Sequence, residues 1–144
     1  MNKDTYYLGI AKAVAQKSKC LKKHYGAVIV NDDEIVSTGY NGCCRGEPEC
    51  LVCTKIDYNK DEIEYKTCPA VHAEQNAIIS ASRKEMLGST LYLAGFDALT
   101  EQEFNAFPCE ICLRLIKNAG IKKIINNSGI IYERNEEGIL TKKS

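Results

Sequence analysis

The chain has 144 residues, 44% of them hydrophobic and 26% charged, and its 19 basic side chains balance 19 acidic ones to a formal net charge of zero. That length suits one domain with a real core. The charge balance argues against a chain whose main work is gripping a nucleic-acid backbone, which needs clustered cations. No run approaches the ~18 apolar residues of a membrane span. The apolar stretch Leu8 to Ala15 is broken by Lys12 and preceded by Asp4, unlike a secretory leader.

In chain order, Leu8, Ala11, Val14 and Ala15 fall at helical spacing, which predicts a first helix over 4–18 with Asp4 as a cap. The apolar run Gly26 to Val30, the turn Asn31-Asp32-Asp33 and the segment Glu34 to Tyr40 read as a β-hairpin. A polar, cysteine-bearing loop follows from Cys43 to Thr67, long enough to be either functional or pinned. Ala73, Ala77, Ile78 and Ala81 share a helical face that Gly88 ends. Thr90 to Ala94 reads as a strand and 95–107 as a polar insertion. Pro108 opens a further helix carrying Cys112, Leu115, Ile116 and Ala119 on one face, stopped by Gly120. Lys122 to Asn126 and Gly129 to Tyr132 are two last strands. The order α-β-β-α-β-α-β-β predicts a mixed sheet between helices, in one domain over 1–144.

Eight cysteines stand beside two histidines. In a chain read as cytoplasmic, cysteines serve as metal ligands or catalytic groups rather than as disulfides. The sharpest pattern is His72-Ala73-Glu74 followed by Pro108-Cys109-Glu110-Ile111-Cys112. Cys109 and Cys112, at i and i+3 in a first helical turn, present both sulfurs on one face. His72 opens the other helix, so three donors can converge from two helix N-termini. Three protein ligands with a fourth position open describe a catalytic zinc site; structural sites close with four. Helix N-terminus and metal both favour thiolate. Glu74 can reach the open position without being a ligand. Taken singly, a C-x-x-C is also a redox pair or half of a structural site, and a histidine at a helix end is also a plain surface group. The joint pattern H-x-E…P-C-x-x-C is the signature of zinc nucleobase deaminases.

With these residues in view, the sequence resembles the deoxycytidylate (dCMP) deaminases of the cytidine-deaminase superfamily. The resemblance runs through His72 to Ile78, Pro108 to Cys112 and Asn118-Ala119-Gly120-Ile121-Lys122. It also includes Ser18-Lys19-Cys20, Gly26 to Val30 and Gly39-Tyr40-Asn41-Gly42, and covers most of 5–125. It implies a three-layer α/β/α fold with a five-stranded mixed sheet. It implies hydrolytic conversion of dCMP to dUMP with zinc held by His72, Cys109 and Cys112 and Glu74 as proton shuttle. It further implies a homo-oligomer, usually a hexamer, regulated by dCTP and dTTP, and a sugar contact from Asn41. Asn41-Gly42 is equally a turn pair. Lys22, Lys23 and Arg45 are phosphate-binding candidates by position, or solvated surface cations.

Two features stand apart. Residues 93–107 lengthen the link between Tyr92 and Pro108 beyond the usual pattern, which leaves a related nucleotide or a free base open as substrate. Cys50-x-x-Cys53 has zinc-knuckle spacing. Some dCMP deaminases carry a second, structural zinc at this loop, and Cys50, Cys53 and Cys68 with Cys20 or His24 would form it. The same thiols also suit small buried hydrophobes, and adjacent Cys43 and Cys44 are less apt to share one ion. A tRNA-adenosine-type deaminase would need a basic face. A zinc-stabilised binding module would have no use for Glu74.

Overall fold

A computed structural model of the chain describes residues 1–53 and 68–143. Strand β1 (Lys23–Asn31) is its spine. Gly26 to Val30 are all buried, as expected for a strand covered on both faces. β1 turns into β2 (Glu34–Tyr40) through Asp32 and Asp33, whose φ values of 51° and 61° are left-handed. Aspartate tolerates that region, and a two-residue turn of this hand matches the strand twist. After β3 (Gly42–Cys43) and β4 (Ala70–Val71), which form a small antiparallel pair, comes β5 (Thr90–Asp97). β5 lies antiparallel on the other side of β1. β6 (Lys123–Asn126) pairs parallel with β5, and β7 (Ile131–Arg134) and β8 (Leu140–Lys143) extend the sheet antiparallel. The sheet therefore has six strands in the order β2-β1-β5-β6-β7-β8, not the five expected.

Helix α1 (Lys3–Ala15) covers one face. Its Tyr7, Leu8 and Ala11 pack with Val28, Val30, Tyr92 and Ile125. The predicted span of 4–18 overshoots, and its cap is Asn2, which accepts the Thr5 N–H at 2.8 Å. Asp4 instead accepts the Tyr92 hydroxyl at 2.7 Å. Helices α2 (Ala73–Ile79), α3 (Arg83–Met86) and α4 (Glu110–Ala119) lie after β4. Ala73, Ala77, Ile116 and Ala119 form a second cluster with Ala27, Ile29, Leu91 and Leu93, so helices cover both faces of the sheet. The single helix expected from Ala73 to Gly88 is two. Ser82 accepts the Glu85 N–H and Glu85 returns a bond to the Ser82 N–H, a capping box that restarts the helix as α3. The parallel β5–β6 pair needs a crossover, and α4 is that crossover.

Small residues seat α2. A Cβ on Gly39 would lie 2.4 Å from both the Ala73 carbonyl oxygen and the Ala77 nitrogen. The Ser37 hydroxyl donates to the Ala77 carbonyl at 2.7 Å from the same strand. Gly39→Ala is therefore expected to lift α2 and destabilise the fold by about 1–3 kcal/mol. Gly9→Ala, where a Cβ meets nothing within 4 Å, is expected to stabilise by about 0.5–1 kcal/mol. Urea unfolding of the two variants checks both signs.

Candidate active site

His72 is the N-cap residue of α2 and Cys109 the N-cap residue of α4. The His72 N–H donates to the Gln75 side chain at 2.9 Å, which ties the cap to the first turn. The Cys109 carbonyl accepts the Leu113 N–H at 2.8 Å, so the thiol hangs from the helix edge rather than from inside the first turn. Cys112 follows one turn on, fully buried. Its sulfur is 3.3 Å from His72 Nδ1, and that of Cys109 is 3.7 Å from the same nitrogen. Zinc bound tetrahedrally at its usual bond lengths would hold sulfur and nitrogen about 3.6 Å apart. Among the described residues, His72, Cys109 and Cys112 are the one group of three candidate ligands with donor atoms within 4.8 Å of one another. Donor type and spacing both fit zinc.

Glu74 is 5% exposed and lines the same cavity of about 230 Å³ as His72 and Cys109. Burial raises its carboxyl above the usual range, while its own N–H and the Cys112 thiol pull less strongly the other way. Burial also drives the Cys112 thiol well up, helped by the charge of Glu74. A bound cation inverts this order, because a coordinating thiol is deprotonated outright. Tyr25 lines the cavity too, its hydroxyl pushed up to about 12 by burial and then by Glu74.

The zinc-binding-region profile shared by cytidine and deoxycytidylate deaminases matches residues 1–127. The chain belongs to that family. It is 36% identical over 131 residues to the deoxycytidylate deaminase of Mycobacterium phage D29, covering 85% of this chain and 91% of the phage protein. It is 27% identical over 142 residues to the Schizosaccharomyces pombe deoxycytidylate deaminase, covering 95% of this chain and 40% of the yeast protein. Among solved structures, the dCMP deaminase of cyanophage S-TIM5 in complex with dCMP and dUMP superposes with a TM-score of 0.63 at 25% identity. That match covers 85% of this chain and 78% of the phage chain. The zinc-binding deaminase fold thus places the His72, Cys109 and Cys112 cluster in context.

Of the other deaminase residues anticipated from sequence, Asn41 lines the cavity with Lys22, Lys23, Cys20, Cys53 and Cys68. The Asn41 amide is engaged with β1: it accepts the Tyr25 N–H at 2.8 Å and donates to the Lys23 carbonyl at 2.9 Å. One N–H and one lone pair remain for a ligand. Arg45 lines a different cavity, beside Tyr40, Glu49 and Asn76. Cys20, Cys50, Cys53 and Cys68 share a second, smaller cavity with Cys43. Among the described residues they do not gather within ligand spacing as a group of three. The nearest approach there is Cys43 to Cys50, at 3.8 Å. His24 faces the Cys20 carbonyl at 2.8 Å. The stretch Thr54–Thr67 of the predicted loop lies outside the described residues.

Tyr25 and Phe107 are cavity residues that sequence reasoning passed over. Period-two alternation along β1 places Tyr25 on the face of Ala27 and Ile29, a signal that was available. Phe107 had only its position before Pro108. Cys112→Ser is expected to lower the zinc content by one ion per chain, measured by elemental analysis, whereas Cys44→Ser on the exposed loop is expected to leave it unchanged.

Proposed function

We infer that residues 1–144 form one catalytic domain that hydrolyses a cytosine nucleotide, dCMP to dUMP with release of ammonia, in the cytoplasm. The observation that carries the reading is Glu74: a buried carboxyl in the wall of the cavity that also holds two of the three clustered donors. A purely structural metal site closes with four protein ligands and needs no such neighbour. The balanced charge, 19 against 19, suits a small nucleotide better than a nucleic-acid strand.

His72, Cys109 and Cys112 would hold zinc. When bound, the ion lowers the pKa of water and supplies a nucleophile at neutral pH. The Glu74 carboxylate takes the proton of the attacking water and delivers it to N3 of the cytosine ring. Water oxygen adds at C4. Glu74, a carboxylate again, then takes the remaining proton from the C4 hydroxyl and passes it to the amine, which leaves as ammonia as the C4 carbonyl forms. A carboxyl raised by burial is a stronger proton acceptor than a solvated one. Asn41 offers its remaining N–H and lone pair to the sugar.

Ammonia release from dCMP, CMP, deoxycytidine, cytosine and guanine tests the reading, with dCMP expected as the best substrate. Cytosine or guanine as the best substrate would overturn the nucleotide assignment. Glu74→Gln is expected to keep zinc and fold while losing at least ~100-fold in kcat; near-normal turnover would move the shuttle elsewhere.

We also propose a second, structural zinc on Cys20, Cys50, Cys53 and Cys68. Support comes from the cavity these four thiols share and from their being free. Closing around an ion would tie the loop to the end of α1, and metal affinity couples to folding. The Cys50→Ser/Cys53→Ser double variant is expected to lose one of two zinc ions per chain and to become protease-sensitive in the loop, with the ion on His72, Cys109 and Cys112 retained. Unchanged zinc content would leave these thiols as small apolar fillers.

A further inference from the structure

We propose that Phe104, in the segment that lengthens the link between β5 and α4, is a positioning residue that holds Lys23 at the cavity for the phosphate of the substrate. The proposal rests on the nucleotide reading above and adds to it the device that aims the cation. Lys23 lines the cavity, and its Nζ lies 5.0 Å from the centroid of the Phe104 ring. That is within the ~6 Å at which an ammonium is attracted to an aromatic face.

The ring is held from three directions. It meets Tyr25 edge-on, with centroids 5.4 Å apart and planes at 83°. It occupies the space above Gly95, where an added Cβ would lie 2.6 Å from the ring's Cζ. The Phe104 N–H donates to the Gly95 carbonyl at 3.3 Å, anchoring the backbone below. Lys23 and Tyr25 are two residues apart on β1 and so project from the same face. One ring thus packs on the cavity wall and carries the lysine beside it.

Among the described residues, Lys23 forms no close ion pair that would compete with a ligand, although Asp97 feels its charge. The acid across the strand pair is Asp97, its register partner on β5. The Asp97 carboxylate accepts the Leu99 and Thr100 N–H groups at 2.9 and 3.0 Å. An aromatic face steadies an ammonium without neutralising it, so rotamer freedom is lost before the substrate arrives rather than on binding.

The test is steady-state kinetics on dCMP with the zinc-loaded enzyme. Lys23→Gln is expected to raise KM about 10- to 100-fold, the usual worth of a charged hydrogen bond. Phe104→Leu is expected to raise KM about 3- to 10-fold with kcat within about twofold. The double variant is expected to be no worse than Lys23→Gln alone, because both act on one contact. Replacing Phe104 by 4-fluoro-, 3,5-difluoro- and 3,4,5-trifluorophenylalanine keeps the ring shape and weakens its face, and KM is expected to climb with fluorine count. This series decides the matter even if Phe104→Leu fails to fold. A flat KM across the series, or additive losses in the double variant, would overturn the proposal. So would a fall in kcat and zinc content at constant KM, which would mark Phe104 as merely structural. Wild-type enzyme that prefers deoxycytidine to dCMP would instead overturn the substrate reading beneath it.

Discussion

At Gly39, helix α2 lies on strand β2 with no side chain between the two backbones. Gly39 leaves room for the backbone around Ala73 and Ala77, and both of those residues are fully buried alanines. Much of the site depends on this contact. His72 caps the helix and Glu74 occupies its first turn, so their depth in the molecule is the depth of α2 itself. A larger residue at position 39 or 77 would move the imidazole and the carboxyl together, away from a cluster whose sulfur–nitrogen separations of 3.3 and 3.7 Å leave little slack. The second helix is seated differently. The long apolar face of α4, through Cys112, Ile116 and Ala119, makes one of the three clustered donors part of the hydrophobic core.

The cluster was legible in sequence because helical periodicity turns spacing into geometry. His72-x-Glu74 and Cys109-x-x-Cys112 each lie within one turn, and a turn is the shortest-range structure a chain makes. The central strands were legible for a similar reason, since an unbroken apolar run from Gly26 to Val30 suits only a strand buried on both faces. Caps were harder. Asn2 and Asp4 are both good N-cap residues, and what separates them is the distant Tyr92 hydroxyl, which claims Asp4. The break at Ser82 was readable from Ser82 and Glu85 at capping-box spacing, but the apolar pattern through Ala81 masked it. The sixth strand was not legible: Leu140–Lys143 has one partly buried residue and is held by its ladder to β7 rather than by an apolar pattern.

Residues 93–107 show how a polar stretch becomes part of a core wall. The strand runs on to Asp97, whose carboxylate gathers two N–H groups and turns the chain. The returning segment then pairs back, with the Asp97 N–H on the Gln102 carbonyl at 2.9 Å and a bridge from Phe96 to Glu103. Its apolar residues, Phe104 and Ala106, pack inward, and the Asn126 side chain donates to the Ala106 carbonyl at 3.2 Å. Apolar residues scattered among small and polar ones read as a loop in one dimension. The register against Gly95 that makes it a wall is a tertiary property, so nothing in the sequence pointed to Phe107 as a cavity residue.

The chemistry of the centre follows from the cost of burying it. Glu74 and Cys112 are both out of water, and burial is the leading cause that pushes each towards its protonated form. Their effects on each other are unequal: the charge of Glu74 pushes the Cys112 thiol further up, while a bond from that thiol draws the Glu74 carboxyl partly back down. A divalent cation reverses the balance, because it pairs with the thiolates and relieves the repulsion between them and the carboxylate. The fold is thereby linked to its metal: the ion gains affinity from ligands already gathered, and the folded state gains the free energy of binding.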